Sequence, residues 1–231
     1  MNSAERPTVN PALDHAVELA ISVERLRPYR AAFNGDRSTG LRLYAWNIEI
    51  STAFYGLLHC LEVVLRNAMH RELIAHFDRE DWWHSPKLRL DLRSARAISD
   101  MEADLARSYA TPTPGHMVAA LTLGFWVNLM ASTNNYETIL WRPALHKSFP
   151  HYRGTRQPLH RDLYHLRLFR NRIAHHEAVH GRHLAADHAS IIRVLGYLSP
   201  EATQWARKHD RVPEALARRA DVCAALAPTR F

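Results

Sequence analysis

The chain has 231 residues, 47% of them apolar and 23% charged, which is enough to bury a sizeable core as one soluble globular domain. Two cysteines, Cys60 and Cys223, make no disulfide framework and suit a reducing cytosol. A formal net charge of +7, with 27 arginines and 3 lysines against 23 acidic residues, favours nucleic acid and other polyanions over acidic partners. The opening stretch MNSAERPTVN lacks the basic-then-apolar signal pattern, so a cytoplasmic protein is expected. Gly and Pro cluster at 33–40, 82–87, 111–115, 149–158 and 197–201, and between these clusters the apolar spacing is helical. A first helix is expected near 12–33. The clearest one runs from about Leu41 to Phe77. There Leu43, Trp46, Ile50, Phe54, Leu57, Leu61, Val64 and Ala68 recur in steps of three and four, with Ser38 or Thr39 as cap. Helices follow near 87–109, 116–131, 157–178, 187–198 and 213–226. The 116–131 segment is apolar all round, is too short to span a bilayer and carries Asn128, so it reads as a buried central helix. The expected fold is an all-α bundle of about seven or eight helices over residues 1–231, one domain with helical extensions at both ends.

The helix expected near 157–178 carries the start of LFRNRIAHHEAVHGRH, residues 168–183, a stretch that gathers Arg170, Arg172, His175, His176, His180, Arg182 and His183. Read as helix interior, its seam of Leu159, Leu163, Leu166 and Ile173 also turns Arg170 and Glu177 toward the core. A buried guanidinium needs a partner, because an unpaired buried charge costs several kcal/mol. Glu62 is the natural candidate. It lies beside Leu58, Leu65 and Met69 on the first long helix, with Arg66 and His70 continuing the line. Thus LRNAMH (65–70) and FRNRIAHH (169–176) look like two related groups brought inward, Arg-Asn-x-x-His in the first and Arg-Asn-x-x-x-His in the second.

These residue types suffice for metal-free cleavage of RNA. An imidazole accepts and gives a proton near neutral pH, and a guanidinium holds two phosphoryl oxygens and the charge that grows on them. One group helps to deprotonate the 2′-OH, another stabilises the pentacoordinate phosphorus and a third protonates the leaving 5′-oxygen. DNA lacks the 2′-OH and resists this route. On an ideal helix Arg170 and His175 diverge by about 140°. One helix alone therefore does not aim both at one phosphate, and either a distortion near His175 or a second copy of the helix must complete the site.

Arg170-Asn171-x-x-x-His175 resembles the R-x4-H motif of the HEPN superfamily of helical ribonucleases. A wider ordered set resembles the Abi-like (abortive infection) family within it: RLRPYR (25–30), YAWNIEIS (44–51), LEVVLRNAMHREL (61–73), WW (82–83), LGFWVNLM (123–130), LW (140–141), FP (149–150) and LRLFRNRIAHHE (166–177). The resemblance covers roughly residues 25–200. It implies a HEPN bundle that forms a homodimer, with the R-x4-H helices facing each other across a shared cleft. It also implies a metal-independent endoribonuclease that leaves a 2′,3′-cyclic phosphate and a 5′-OH, without a cofactor, and acts in phage defence or toxin-like growth arrest; an RNA antitoxin, a protein antitoxin or a phage-derived signal are the alternatives for its control. Arg170 carries over as the phosphate-stabilising residue, His175 as the acid/base and Asn171 as the polar helper. Glu62, Arg66, Arg172 and His176 carry over as supporting residues. The alternative is a non-catalytic HEPN module that binds RNA or protein.

Three further motifs have blander readings. HEAVH (176–180) matches H-E-x-x-H, but no third zinc ligand sits at zincin spacing: His183 is too close and position 186 is Ala. Trp82 and Trp83 could stack bases but read better as core anchors. The C-terminal ARRADVCAALAPTRF reads as an amphipathic helix that covers the bundle. His84, His116, His146, His151 and His209 read as surface or loop residues.

Overall fold

The computed structural model describes residues 10–231, and its regular secondary structure is all helix, with no strand among these residues. It divides into two compact units. The first holds the chain up to Leu57, then Arg170–His188 and His209–Phe231; the second holds Leu58–Phe169 and Ala189–Lys208.

In the first unit the helix expected over 12–33 is two helices, α1 (Pro11–Ile21) and α2 (Val23–Ala31). Ser22 takes φ 96°, breaks the run and caps α2 by accepting from the Arg25 N–H at 3.2 Å. The two helices are tied through Glu18, which is almost fully buried, pairs with Arg30 and takes Arg37 Nε at 2.6 Å. α3 (Arg37–Phe77) then runs for 41 residues and contributes to both units. Its expected seam is buried except at Val64, which is half-buried. Gly40 lets α2 approach α3, since a Cβ there would meet Arg30 Cγ at 2.7 Å and its Cα at 3.1 Å. The expected C-terminal helix is again two short ones, α10 (Val212–Ala217) and α11 (Arg219–Cys223). They cover the N-terminal half of α3. Trp46 Nε1 donates to the Ala215 carbonyl at 2.8 Å, Arg218 pairs with buried Glu49 at 2.7 Å, and Arg42 donates to the Cys223 carbonyl at 2.9 Å.

The second unit contains α4 (Leu92–Ser108), α5 (Pro114–Ala120), α6 (Leu123–Asn128), most of α7 (Arg156–Ala174), most of α8 (Leu184–Leu198) and α9 (Pro200–Lys208). The single helix expected over 116–131 is α5 and α6. Thr122 breaks it by capping a new helix, accepting from the Phe125 N–H at 3.4 Å, while Leu121 is extended. α9 begins at the YLSPE punctuation, where the sequence suggests only a stop. Trp82 and Trp83 are buried, as expected of core anchors; Trp82 Nε1 donates to His70 Nδ1 at 3.0 Å and its ring meets Trp83, Phe125 and Trp126. Asn128 joins a polar knot instead of lying alone among apolar groups. The Asp91 carboxylate caps α4 and also takes Asn128 Nδ2 and Tyr136 Oη, each at 2.8 Å.

α3 is the one described helix long and apolar enough to cross a bilayer by length and composition. Half of that stretch is buried inside the protein, and a core helix passes the same test.

Candidate functional site

The cluster 168–183 is not helix interior beyond Ala174, where α7 ends. The helix closes in a Schellman motif. The Glu177 N–H donates to the Arg172 carbonyl at 2.8 Å and the His176 N–H to the Ile173 carbonyl at 3.0 Å. His176 takes φ 57°, the left-handed position that Gly usually fills. Glu177 therefore leaves the seam on which a continued helix would have buried it. It is exposed and pairs with Arg172 Nε at 3.0 Å. HEAVH does not lie on a helix, so His176 and His180 do not share a helix face. The described residues include no group of three His, Cys, Asp or Glu side chains able to hold a metal ion.

The chain after the cap is pinned to α3 by one side chain. Asn47, nearly fully buried, accepts with Oδ1 from the Val179 N–H at 2.8 Å and the His180 N–H at 3.1 Å. The His180 ring packs on Tyr29 with centroids 4.7 Å apart. Burial pushes its pKa below the usual imidazole value, and the nearby Arg219 pushes in the same direction.

These constraints build a groove of about 700 Å³ in the first unit. Arg25 of α2 lines it together with Tyr44, Asn47, Ile48, Ser51, Thr52 and Tyr55 of α3 and Arg170, Ile173, Ala174 and His176 of α7 and its cap. The α3 residues fall at i, i+3, i+4, i+7, i+8 and i+11, a single helix face. They form a polar and aromatic stripe next to the buried seam. No Asp or Glu is among the described lining residues, whereas two arginines are. Tyr55 is the most open of the groove's aromatics, 60% exposed, and Tyr44 is half-buried with its ring edge-on to Tyr29 at 5.1 Å. Over the eleven residues from Tyr44 to Tyr55 an α-helix rises about 16 Å.

Of the residues expected at the site, Arg170 and His176 line the groove. Asn171 is half-buried on the same helix. His175 is exposed just past the last residue of α7, its N–H donating to the Asn171 carbonyl at 2.9 Å, and it is not among the lining residues. Arg172 is exposed.

Glu62 and Arg66 serve the break between α5 and α6 in the second unit. Glu62 Oε1 accepts from the Leu123 N–H at 3.1 Å, at the start of α6, and Arg66 Nη1 donates to the Ala119 carbonyl at 3.0 Å, near the end of α5. A carboxylate thus takes an orphan donor and a guanidinium an orphan acceptor, which lets an otherwise continuous apolar run bend. His70, in the same line, receives the Trp82 indole N–H, and burial lowers its pKa against the opposing pull of Glu80.

Arg25, Tyr44, Asn47, Ser51, Thr52 and Tyr55 escaped the reading of the sequence as site residues, although RLRPYR and YAWNIEIS contain four of them. The available signal was the second stripe on α3, polar residues at helical spacing beside the apolar seam. Compared with protein-family models, with curated proteins and with solved structures, nothing matches the chain.

Proposed function

We propose that the groove of the first unit binds single-stranded RNA and that the chain is a metal-independent endoribonuclease of the HEPN type, similar to Abi-like defence and toxin effectors. The observation that carries this reading is the joint lining of one open groove by Arg170, Arg25 and His176 with two tyrosines and no carboxylate among the described residues. Arginines suit the phosphate and tyrosine faces suit unpaired bases. In the proposed reaction an imidazole takes the 2′-OH proton as the 2′-oxygen attacks phosphorus. Arg170 holds the non-bridging oxygens, and a second imidazole gives a proton to the departing 5′-oxygen. The products are a 2′,3′-cyclic phosphate and a 5′-OH.

His175 is the acid/base that the resemblance implies. Its exposure outside the groove supports a site completed by the α7 end of a second copy, in a homodimer whose two-fold axis brings the same patch together twice. His176 supplies an imidazole on the groove wall itself. The same exposure of His175 also favours the second reading, a module that binds RNA or a protein without cutting. An RNA or protein antitoxin would restrain an active effector.

The test is cleavage of a fluorescent single-stranded RNA in EDTA, beside DNA of the same sequence. The RNA is cut to a cyclic phosphate and the DNA is spared. Arg170→Ala abolishes cutting, and a dimer mixing Arg170→Ala with His175→Ala chains regains part of it. RNA that is bound but left intact would establish the non-catalytic module instead.

A further inference from the structure

A second basic site lies in the other unit. Residues 138–161 contain Arg142, Lys147, Arg153, Arg156 and Arg161, three histidines and no acidic residue. This stretch folds around a hollow of about 620 Å³ lined by Trp141, Arg142, His146, Lys147, Tyr152 and Arg153, with Phe149, Pro150 and Gly154 completing the wall. No Asp or Glu is among its described lining residues.

The aromatic wall is fixed in place. Trp141 ends a π-helical turn, Glu137–Trp141, a rare geometry that is frequent at functional sites. The Trp141 carbonyl accepts from His146 Nδ1 at 3.1 Å, which leaves Nε2 as the other ring nitrogen. Tyr152 Oη donates to the Thr155 carbonyl at 2.9 Å across Gly154, where a Cβ would lie 2.3 Å from that oxygen. Only glycine at 154 lets the tyrosine fold back in this way.

The cations are arranged differently. Arg156 is spent inside the fold, on Glu137 at 2.6 Å and on the Met130 carbonyl. Arg142 touches Glu137 at 3.3 Å but remains 72% exposed, and Lys147 and Arg153 are exposed. Three cations around rigid aromatic faces, with no lining carboxylate, have the chemistry of a nucleotide subsite: phosphate on the cations, base on a ring.

We propose that this hollow binds a nucleotide unit, with its phosphate on Arg142, Lys147 and Arg153 and its base against the half-buried ring of Tyr152, which buried Trp141 backs. The ligand is either a free nucleotide or one residue of a nucleic-acid strand. The site belongs wholly to the second unit and does not depend on cleavage in the first.

The test is the affinity of the full chain for a short labelled 2′-O-methyl oligonucleotide, which lacks the 2′-OH and is not cut by the proposed route. It is measured by anisotropy over a salt series. Lys147→Glu/Arg153→Glu is compared with Arg96→Glu/Arg207→Glu, an equal charge change at exposed positions of the same unit. The first pair weakens binding about tenfold more than the second and lowers the slope of log affinity against log salt by about 0.7, the contribution of one phosphate contact on a single strand. The difference persists in an Arg25→Ala background, which separates it from the groove of the first unit. Competition by 5′-AMP assigns the site to a free nucleotide, and its absence assigns it to a strand. Equal weakening by both pairs, or none by either, overturns the proposal. Circular dichroism verifies that every variant is folded.

Discussion

Asn47→Ala removes one oxygen and orphans two backbone donors. Val179 is fully buried, so its N–H, now 2.8 Å from Asn47 Oδ1, would find no replacement in water. The His180 N–H, at 3.1 Å, belongs to a half-buried residue and falls at the lower end of the cost. A buried donor left unpaired costs ~1–3 kcal/mol, so the pair sums to roughly 2–4 kcal/mol. For a chain of this length each kcal/mol moves the melting temperature by about 2–4 °C, giving a fall of roughly 4–16 °C. Thermal melts followed by circular dichroism measure it. Asn47→Asp keeps an acceptor for both N–H groups and loses less than Asn47→Ala. Because the same residue tethers the chain just after His176, the proposed ribonuclease function also implies slower RNA cutting per folded molecule in the alanine variant. An Asn47→Ala protein that melts within about 1 °C of wild type would refute the reasoning, since the tether would then carry no stability.

His176→Gly relieves a left-handed residue and raises stability by about 0.5–1 kcal/mol, the left-handed cost less the extra chain entropy of glycine. Under the proposed ribonuclease function the same variant also cleaves less RNA, and a loss of stability would show that the cap geometry is not strained. For Asp91, burial alone would raise the carboxyl pKa, but hydrogen bonds from Ser94, Tyr136 and the Ser94 and Arg93 backbone outweigh it and hold the group below its ordinary value. A depressed folded pKa contributes stability that is present above the unfolded value of 3.8 and is lost as pH falls through the folded one. Asp91→Asn is therefore less stable than wild type at pH 7, and the gap narrows as urea melts are taken below about pH 4.

Periodicity carried most of the fold. The α3 seam, the α7 seam and the all-helical class follow from apolar steps of three and four, because burying one helix face leaves that trace in any sequence. The breaks were harder to read, for a local reason. Ser22, Thr122 and His176 interrupt helices by capping or by a left-handed turn, and none is a Gly or Pro that punctuates a sequence visibly. At Thr122 the break also depends on Glu62 and Arg66, about sixty residues earlier, which take up the loose backbone groups it creates. No local window contains that information.

The candidate site was half legible, and the missing half was the geometry of the helix end. Arg170 belongs to the regular helix, so helical spacing locates it on the groove wall. Its imidazole partner depends on what the backbone does after Ala174. An ideal helix carried forward puts Glu177 inward and makes His176 and His180 neighbours on one face. The Schellman closure turns the chain instead, with Glu177 in solvent, His176 against the groove and Asn47 holding residues 179 and 180. The α3 stripe was missed because it shares its helix with a stronger apolar signal. A 41-residue helix has faces to spare, and the face beside the seam carries Tyr44, Asn47, Ser51, Thr52 and Tyr55 at the same period. Polar residues at helical spacing usually mean a solvated face. What makes this face a groove is the arrival of Arg25, Arg170 and His176 from two other segments, and that is a property of the folded unit.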